Sequence, residues 1–132
     1  MADFLIICRD ALQNSILGSL ATAMDSKSKG VDVEVMFTQE ALVALVTKEF
    51  RFSPVLEPYR KTMEENARKW GYSTDPFDLI EACRQLGVTM FGCQAWLDLP
   101  GIEGKLPEGV VTIEKEDVPL RVAKAKTILG SF

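Results

Sequence analysis

Short apolar segments of strand length alternate along this chain with longer segments of helical periodicity, and this order constrains the fold more than any other feature. Residues 3–8, "DFLIIC", form a nearly continuous apolar run, and residues 31–37, "VDVEVMF", alternate and are rich in valine. Similar runs follow at 88–93 and 110–113, and residues 127–132 are a candidate for a short final strand. Continuous apolar runs of this length are typical of strands buried on both faces of a parallel sheet.

Between these runs, apolar residues recur with helical spacing. Leu12, Ile16, Leu20 and Met24 are each four residues apart, and Gly30 suits the end of that helix. The predicted helices cover residues 9–30, 38–49, 57–70, 75–86 and 117–126. Strands that alternate with helices pair in parallel through right-handed crossovers. The sequence therefore predicts an α/β fold, a three-layer α/β/α sandwich with a mostly parallel sheet of four to five strands.

The length of 132 residues indicates one domain, residues 1–132, with a sizeable core. Residues 51–72 interrupt the alternation and are predicted to be a helical insertion. Within them, Tyr59, Met63 and Trp70 give the helix 57–70 an apolar face. We expect this helix either to contribute to an oligomer interface or to cover the rim of the sheet.

Composition excludes several classes of function. There is no histidine, which excludes Ser-His-Asp and Cys-His catalysis and histidine-containing zinc sites. The net charge is −4 and Lys and Arg do not cluster, so no nucleic-acid partner is expected. The most apolar stretch, residues 31–50, contains five charged residues, and the first ten residues lack a secretory pattern. We expect no membrane span and a cytoplasmic location.

The three cysteines, Cys8, Cys83 and Cys93, are too few and too scattered for a disulfide framework or a cysteine-only zinc site. The segment after the first strand is "CRDALQNS", which is not a glycine-rich phosphate loop. We therefore expect no metal and no organic cofactor.

Cys93 is the candidate reactive thiol because it ends the third predicted strand. Reactive groups of parallel α/β folds lie beyond the carboxyl ends of strands. The following "QAWLDLPGI" can form a helical turn whose free N–H groups favour a thiolate, and Gly92 would ease the approach of a partner. Gln94 lies on the same rim. The alternative is that Cys93 is a small buried apolar residue, as free cysteines often are.

The other cysteines have simpler interpretations. Cys83 lies on the apolar stripe of a helix and is expected in the core. Cys8 ends the first strand, so it is either core or a second rim residue, and the adjacent Arg9 either offers positive charge to an anionic ligand or is a solvated surface residue.

The sequence resembles the DsrE/DsrF-like proteins, small α/β proteins of sulfur relay that include the TusD type. The resemblance is carried by "VDVEVMFTQEALVAL" (31–45), "DLIEACRQLGVTMFGCQAWLDLPGI" (78–102) and "LPEGVV" (106–111). It covers most of the chain except 51–72.

The resemblance implies that Cys93 carries sulfur as a persulfide, with sulfur donor and acceptor proteins as partners and a homo-oligomeric assembly. The chain would then be a sulfurtransferase. Because the family also has members without known activity, a non-catalytic binding or scaffold subunit of an oligomeric complex is the alternative. A thiol peroxidase is less favoured, since "GCQAW" has no Arg or Thr beside the cysteine.

Overall fold

Five parallel strands form the central sheet in the computed structural model of the chain, which describes residues 2–130. The strands are β1 (Phe4–Cys8), β2 (Val33–Phe37), β3 (Thr89–Cys93), β4 (Val110–Ile113) and β5 (Thr127–Gly130). Their order is β4-β3-β2-β1-β5, and every neighbouring pair is parallel. The predicted fold class is thus confirmed, with a sheet that is entirely parallel. The last two residues of the predicted final strand, 131–132, lie outside the described residues.

Six α-helices connect the described strands. They are α1 (Gln13–Ser28), α2 (Gln39–Thr47), α3 (Arg60–Lys69), α4 (Pro76–Gln85), α5 (Ala95–Asp98) and α6 (Val118–Lys124), and a 3₁₀ turn (Glu57–Tyr59) precedes α3. The clearest start signal is Asp75-Pro76, where the Asp75 carboxylate accepts the N–H groups of Phe77 at 2.8 Å and Asp78 at 3.4 Å. Thr38 and Asp117 occupy the same position at α2 and α6 without a capping hydrogen bond.

The handedness of the connections decides which face each helix covers. The chain moves in one direction from β1 to β4, so right-handed crossovers place the intervening helices on one face. It then returns across the sheet to β5, which places α6 on the opposite face. The buried clusters agree: Leu20, Leu42 and Ile80 pack with the first face, whereas Val118 and Val122 of α6 pack with the second. The protein is therefore a three-layer sandwich with unequal outer layers.

The second face is only partly covered by the two turns of α6. Val111, Leu120 and Ile128 remain 60%, 56% and 44% exposed there. Beneath α6, the Arg121 guanidinium lies 4.7 Å from the centre of the Phe91 ring and pairs with Glu34 at 2.6 Å. This pair satisfies a Glu34 side chain that is only 13% exposed. An apolar surface of this kind remains available for contact with another molecule.

Helix α3 lies beside the first turns of α1 and α4. The Arg60 guanidinium donates to the Gln13 side-chain oxygen at 3.0 Å. Those helices lead from the carboxyl ends of the strands, so α3 lies at that end of the molecule. Its predicted apolar face is only partly used, since Ala67 is buried while Tyr59 and Trp70 are 62% and 76% exposed. A role of this helix in an oligomer interface stays a prediction.

None of the helices within residues 2–130 combines the length and apolar character needed to cross a membrane.

Candidate functional site

The connections that leave β3 and β4 diverge to opposite faces of the sheet. Helix α5, after β3, packs through Leu97 on the first face, and α6, after β4, packs on the second. Adjacent parallel strands whose connections diverge open a crevice at their carboxyl ends, where α/β folds bind ligands. Cys93 is the last residue of β3 and pairs with Ile113, the last residue of β4. It therefore lies at the topological switch point of the sheet.

Cys93 faces the thinly covered side of the sheet. Side chains alternate along a strand, and Phe91, two residues earlier, packs toward α6. The Cys93 residue is 7% exposed and belongs to neither of the two buried apolar clusters. It is thus close to the surface of the rim, with a small accessible fraction.

Lys115 is a cation near Cys93. Its pKa is raised mainly by the hydrogen bond and charge of Glu116, with which it pairs at 2.6 Å, and in small part by the Cys93 thiol. Lys115 lies two residues beyond the carboxyl end of β4, the strand that pairs with β3 next to Cys93. Sequence reasoning missed it, because its proximity becomes visible only once β4 is known to neighbour β3.

The helical turn predicted after Cys93 is present as α5, but it has only four residues. The Gln94 backbone N–H donates to the Ile113 carbonyl at 3.0 Å and prolongs the pairing of the two strands. The Gln94 side-chain amide donates to the Asp98 carboxylate at 2.9 Å, which stabilises the turn. A single turn supplies local N–H groups but no long helix dipole, and the Lys115 ammonium near Cys93 is itself paired with Glu116.

Gly92 has a different role from the predicted one. A Cβ atom at this position would lie 2.5 Å from Cδ1 of Leu42 and 3.3 Å from the Phe37 carbonyl oxygen. The space beside Gly92 is therefore filled by α2, on the face of the sheet opposite to Cys93. The glycine allows α2 to pack closely on the sheet, and it does not open a path for a partner to Cys93.

The other two thiols are closed into the core of the first face. Cys8 and Cys83 are 3% and 0% exposed. Burial raises the pKa of each thiol to about 12, opposed at Cys8 by a hydrogen bond with Ser19. The core interpretation of Cys83 agrees with this placement, and of the two interpretations of Cys8 the structure supports core packing.

The structure does not bring Cys8 and Arg9 to Cys93. Cys8 pairs with Phe37 of β2, and Phe37 pairs with Gly92 of β3. Two strand spacings of about 4.8 Å each therefore separate Cys8 from β3. Arg9 is exposed, and its carbonyl accepts the Ala41 N–H at 3.0 Å. Among the predicted rim residues, only Gln94 shares the immediate surroundings of Cys93.

Within residues 2–130, no three cysteine or acidic side chains lie close enough together to hold a metal ion. The expectation that the protein works without a cofactor stays a prediction.

Comparison with known proteins supports the fold. No protein-family model matches the chain, and no curated protein matches it in sequence. Among solved structures, the YchN protein of E. coli is similar, with a TM-score of 0.70 over 98% of this chain and 99% of its own, at 17% sequence identity. YchN has a DsrE-like fold. The chain described here therefore has the DsrE-like fold.

Proposed function

We propose that the protein is a sulfur carrier that accepts sulfane sulfur on Cys93 and passes it to the thiol of a second protein. The single observation that carries the proposal is the position of Cys93 at the switch point between β3 and β4. The DsrE-like fold, which is related to sulfur relay, agrees with it.

The chemistry balances without a cofactor or an oxidant. The Cys93 thiolate attacks the outer sulfur of a donor persulfide, R–S–SH. A bond forms between Sγ and that sulfur, the donor S–S bond breaks, and the donor leaves as the thiolate R–S⁻. In the second step an acceptor thiolate attacks the outer sulfur of the Cys93 persulfide and restores the Cys93 thiolate. The partners are therefore a donor and an acceptor that each present one accessible sulfur.

Two features of the chain support Cys93 over the other thiols. Cys8 and Cys83, with pKa values raised to about 12, offer almost no thiolate at neutral pH. Cys93, by contrast, keeps a small accessible fraction at the rim of the sheet and has Lys115 close by. A reducing compartment such as the cytoplasm would keep all three thiols free.

The second candidate function is a non-catalytic subunit of an oligomeric complex. It is favoured by the small exposed fraction of Cys93, 7%, and by the exposed apolar residues Val111, Leu120 and Ile128 on the second face.

The same apolar residues supply a surface for a homo-oligomer, which we propose for either function. Light scattering tests the assembly: a substantially monomeric chain at micromolar concentration would contradict it, and Leu120→Glu should lower the mass of an assembly that uses this face.

Sulfur uptake tests the carrier function. The reduced protein is incubated with glutathione persulfide, and the intact mass is measured. We expect a gain of about 32 Da, one sulfur atom, in the wild type and in Cys83→Ser, and none in Cys93→Ser. Equal uptake by Cys93→Ser would reject the proposal in favour of the non-catalytic subunit.

Lys115 provides a second arm of the same experiment. Lys115→Gln removes a positive charge near Cys93, so the alkylation of Cys93 by iodoacetamide should become slower at low salt. The expected change is only about two- to threefold, because solvent and salt screen a surface charge. Lys105→Gln is the matched control: Lys105 is an exposed lysine in the β3–β4 connection, and its substitution should leave the rate unchanged. An unchanged rate in Lys115→Gln would remove Lys115 from the site.

A further inference from the structure

A cavity of about 720 Å³ lies beside α3, in a part of the molecule that the sulfur chemistry does not use. Its walls come from α3, the end of α2, the start of α1 and residues 71–77. No residue of β3, α5 or β4 contributes to it. A volume of this size suits a small organic molecule. We propose that this cavity binds a small anionic molecule that carries a planar ring.

The charges that line the cavity favour an anion. The lining carries three cations, Lys48, Arg60 and Arg68, and two carboxylates, Glu64 and Asp75, and Arg60 also pairs with Glu57 at 3.7 Å. Both carboxylates have partners, because Asp75 caps α4 and Glu64 accepts the Thr74 hydroxyl at 3.5 Å. Lys48 and Arg68, by contrast, form no ion pair with any residue in the described range 2–130. These two cations are available to a ligand.

Arg60 is held in a fixed position on the cavity wall. Its guanidinium donates to the Gln13 side-chain oxygen at 3.0 Å and lies 5.2 Å from the centre of the Phe52 ring. The Gln13 side-chain amide in turn donates to the Thr74 carbonyl at 2.7 Å. This chain of contacts orders the wall before a ligand arrives, which lowers the entropy cost of binding.

The start of α1 adds to the positive potential. This helix has 16 residues and begins at Gln13, which lines the cavity. Its first turn contains no acidic residue, and Leu12 before it gives no side-chain cap. The Gln13 N–H donates to the Arg51 carbonyl at 2.8 Å, and the dipole of this long helix adds a partial positive charge at this wall of the cavity.

An aromatic pair explains the ring in the proposed ligand. Phe50 and Phe77 both line the cavity, with ring centres 6.0 Å apart and planes at 80°. Aromatic side chains that line a pocket favour a ligand with a planar ring, which can pack edge-to-face or offset-stacked on them. Nucleoside phosphates and aromatic carboxylates share the required chemistry, a planar ring with an attached anion.

Titration of the isotopically labelled protein, followed by amide NMR, tests this assignment. The probes are adenosine monophosphate, 4-hydroxybenzoate and inorganic phosphate. We expect one of the ring-bearing probes to bind saturably, with shifts concentrated in 48–50, α3 and 71–77, and the two ring-bearing probes distinguish a phosphate from a carboxylate ligand. Inorganic phosphate should bind more weakly than that probe.

The variants make the test specific. Lys48→Gln with Arg68→Gln should weaken binding of the ring-bearing probe by about tenfold, equivalent to about 1.4 kcal/mol. Lys61→Gln with Lys69→Gln removes the same charge from exposed positions that do not line the cavity, and should leave binding unchanged. Absence of saturable binding by both ring-bearing probes, binding of phosphate as tight as theirs, or equal loss in the two double variants would overturn the proposal.

Discussion

Gly92→Ala separates close packing from access to Cys93, the two roles considered for this glycine. The new methyl group would lie 2.5 Å from Cδ1 and 3.1 Å from Cδ2 of Leu42, against an optimal carbon–carbon separation of about 3.5–4.0 Å. Leu42 is 0% exposed, so it cannot swing aside into solvent. The backbone oxygen of Phe37, at 3.3 Å, limits movement in another direction.

The magnitude follows from two opposed effects. Overpacking by one methyl group in a dense core costs about 2 kcal/mol. Replacing glycine by alanine recovers about 0.5 kcal/mol, because the unfolded chain loses conformational freedom. The packing effect is larger, and we expect the free energy of unfolding to fall by about 1.5 kcal/mol.

Urea unfolding with a double-mutant cycle measures this effect. Leu42→Val removes the atom that the new methyl group would meet, so the double variant should be more stable than the sum of the single changes by about 1 kcal/mol. In the folded protein, Gly92→Ala should leave the alkylation rate of Cys93 unchanged. A neutral Gly92→Ala, additive variants, or a severalfold slower alkylation of Cys93 would refute the packing argument.

Two further predictions concern stability. Asp75→Ala should lower the free energy of unfolding in urea by about 1 kcal/mol, because two N–H groups of α4 lose their acceptor. Asp117→Ala, at a position with no capping hydrogen bond, should lower it by less than half as much. Equal losses in the two variants would contradict the capping role of Asp75. Folding raises the pKa values of the Cys8 and Cys83 thiols from 9.0 to about 12. As the pH rises above 9, these thiols therefore ionise first in the unfolded chain. Their contribution to stability is complete below pH 9 and is lost as the pH rises toward 12. Each thiol should then lower the free energy of unfolding by up to about 1.4 kcal/mol per pH unit in that range, and a Cys83→Ala variant with the same alkaline slope as the wild type would contradict the burial argument.

The elements of the fold were predictable where one local signal was sufficient. The apolar runs of 3–8 and 88–93 mark β1 and β3 because a strand buried on both faces needs no alternation. Asp75 and Pro76 mark the start of α4, since a carboxylate cap and a proline in the first turn both suit a helix terminus. Cys93 was placed at the end of its strand by the same reasoning.

The features that depend on neighbours in space were not predictable from the sequence. The role of Gly92 requires knowing that Leu42 of α2 packs above it, and the proximity of Lys115 requires the pairing of β3 with β4. The helical periodicity of 57–70 was correct, but Tyr59 and Trp70 remain exposed because α3 contacts the rest of the molecule through a narrow strip. Periodicity gives the face of a helix and not the area that a neighbour covers.

Discharge of the loaded protein tests the central claim most directly, because adventitious persulfidation would fill a thiol without passing sulfur on. The protein is loaded with sulfane sulfur, freed of donor, and exposed to a protein thiol acceptor, and the sulfur is located by peptide mass mapping at each time. The account predicts that the sulfur resides on the peptide of Cys93, leaves it as the acceptor gains about 32 Da, and leaves a free Cys93 thiol. Sulfur located on Cys8 or Cys83, or sulfur on Cys93 that the acceptor never receives, would contradict it.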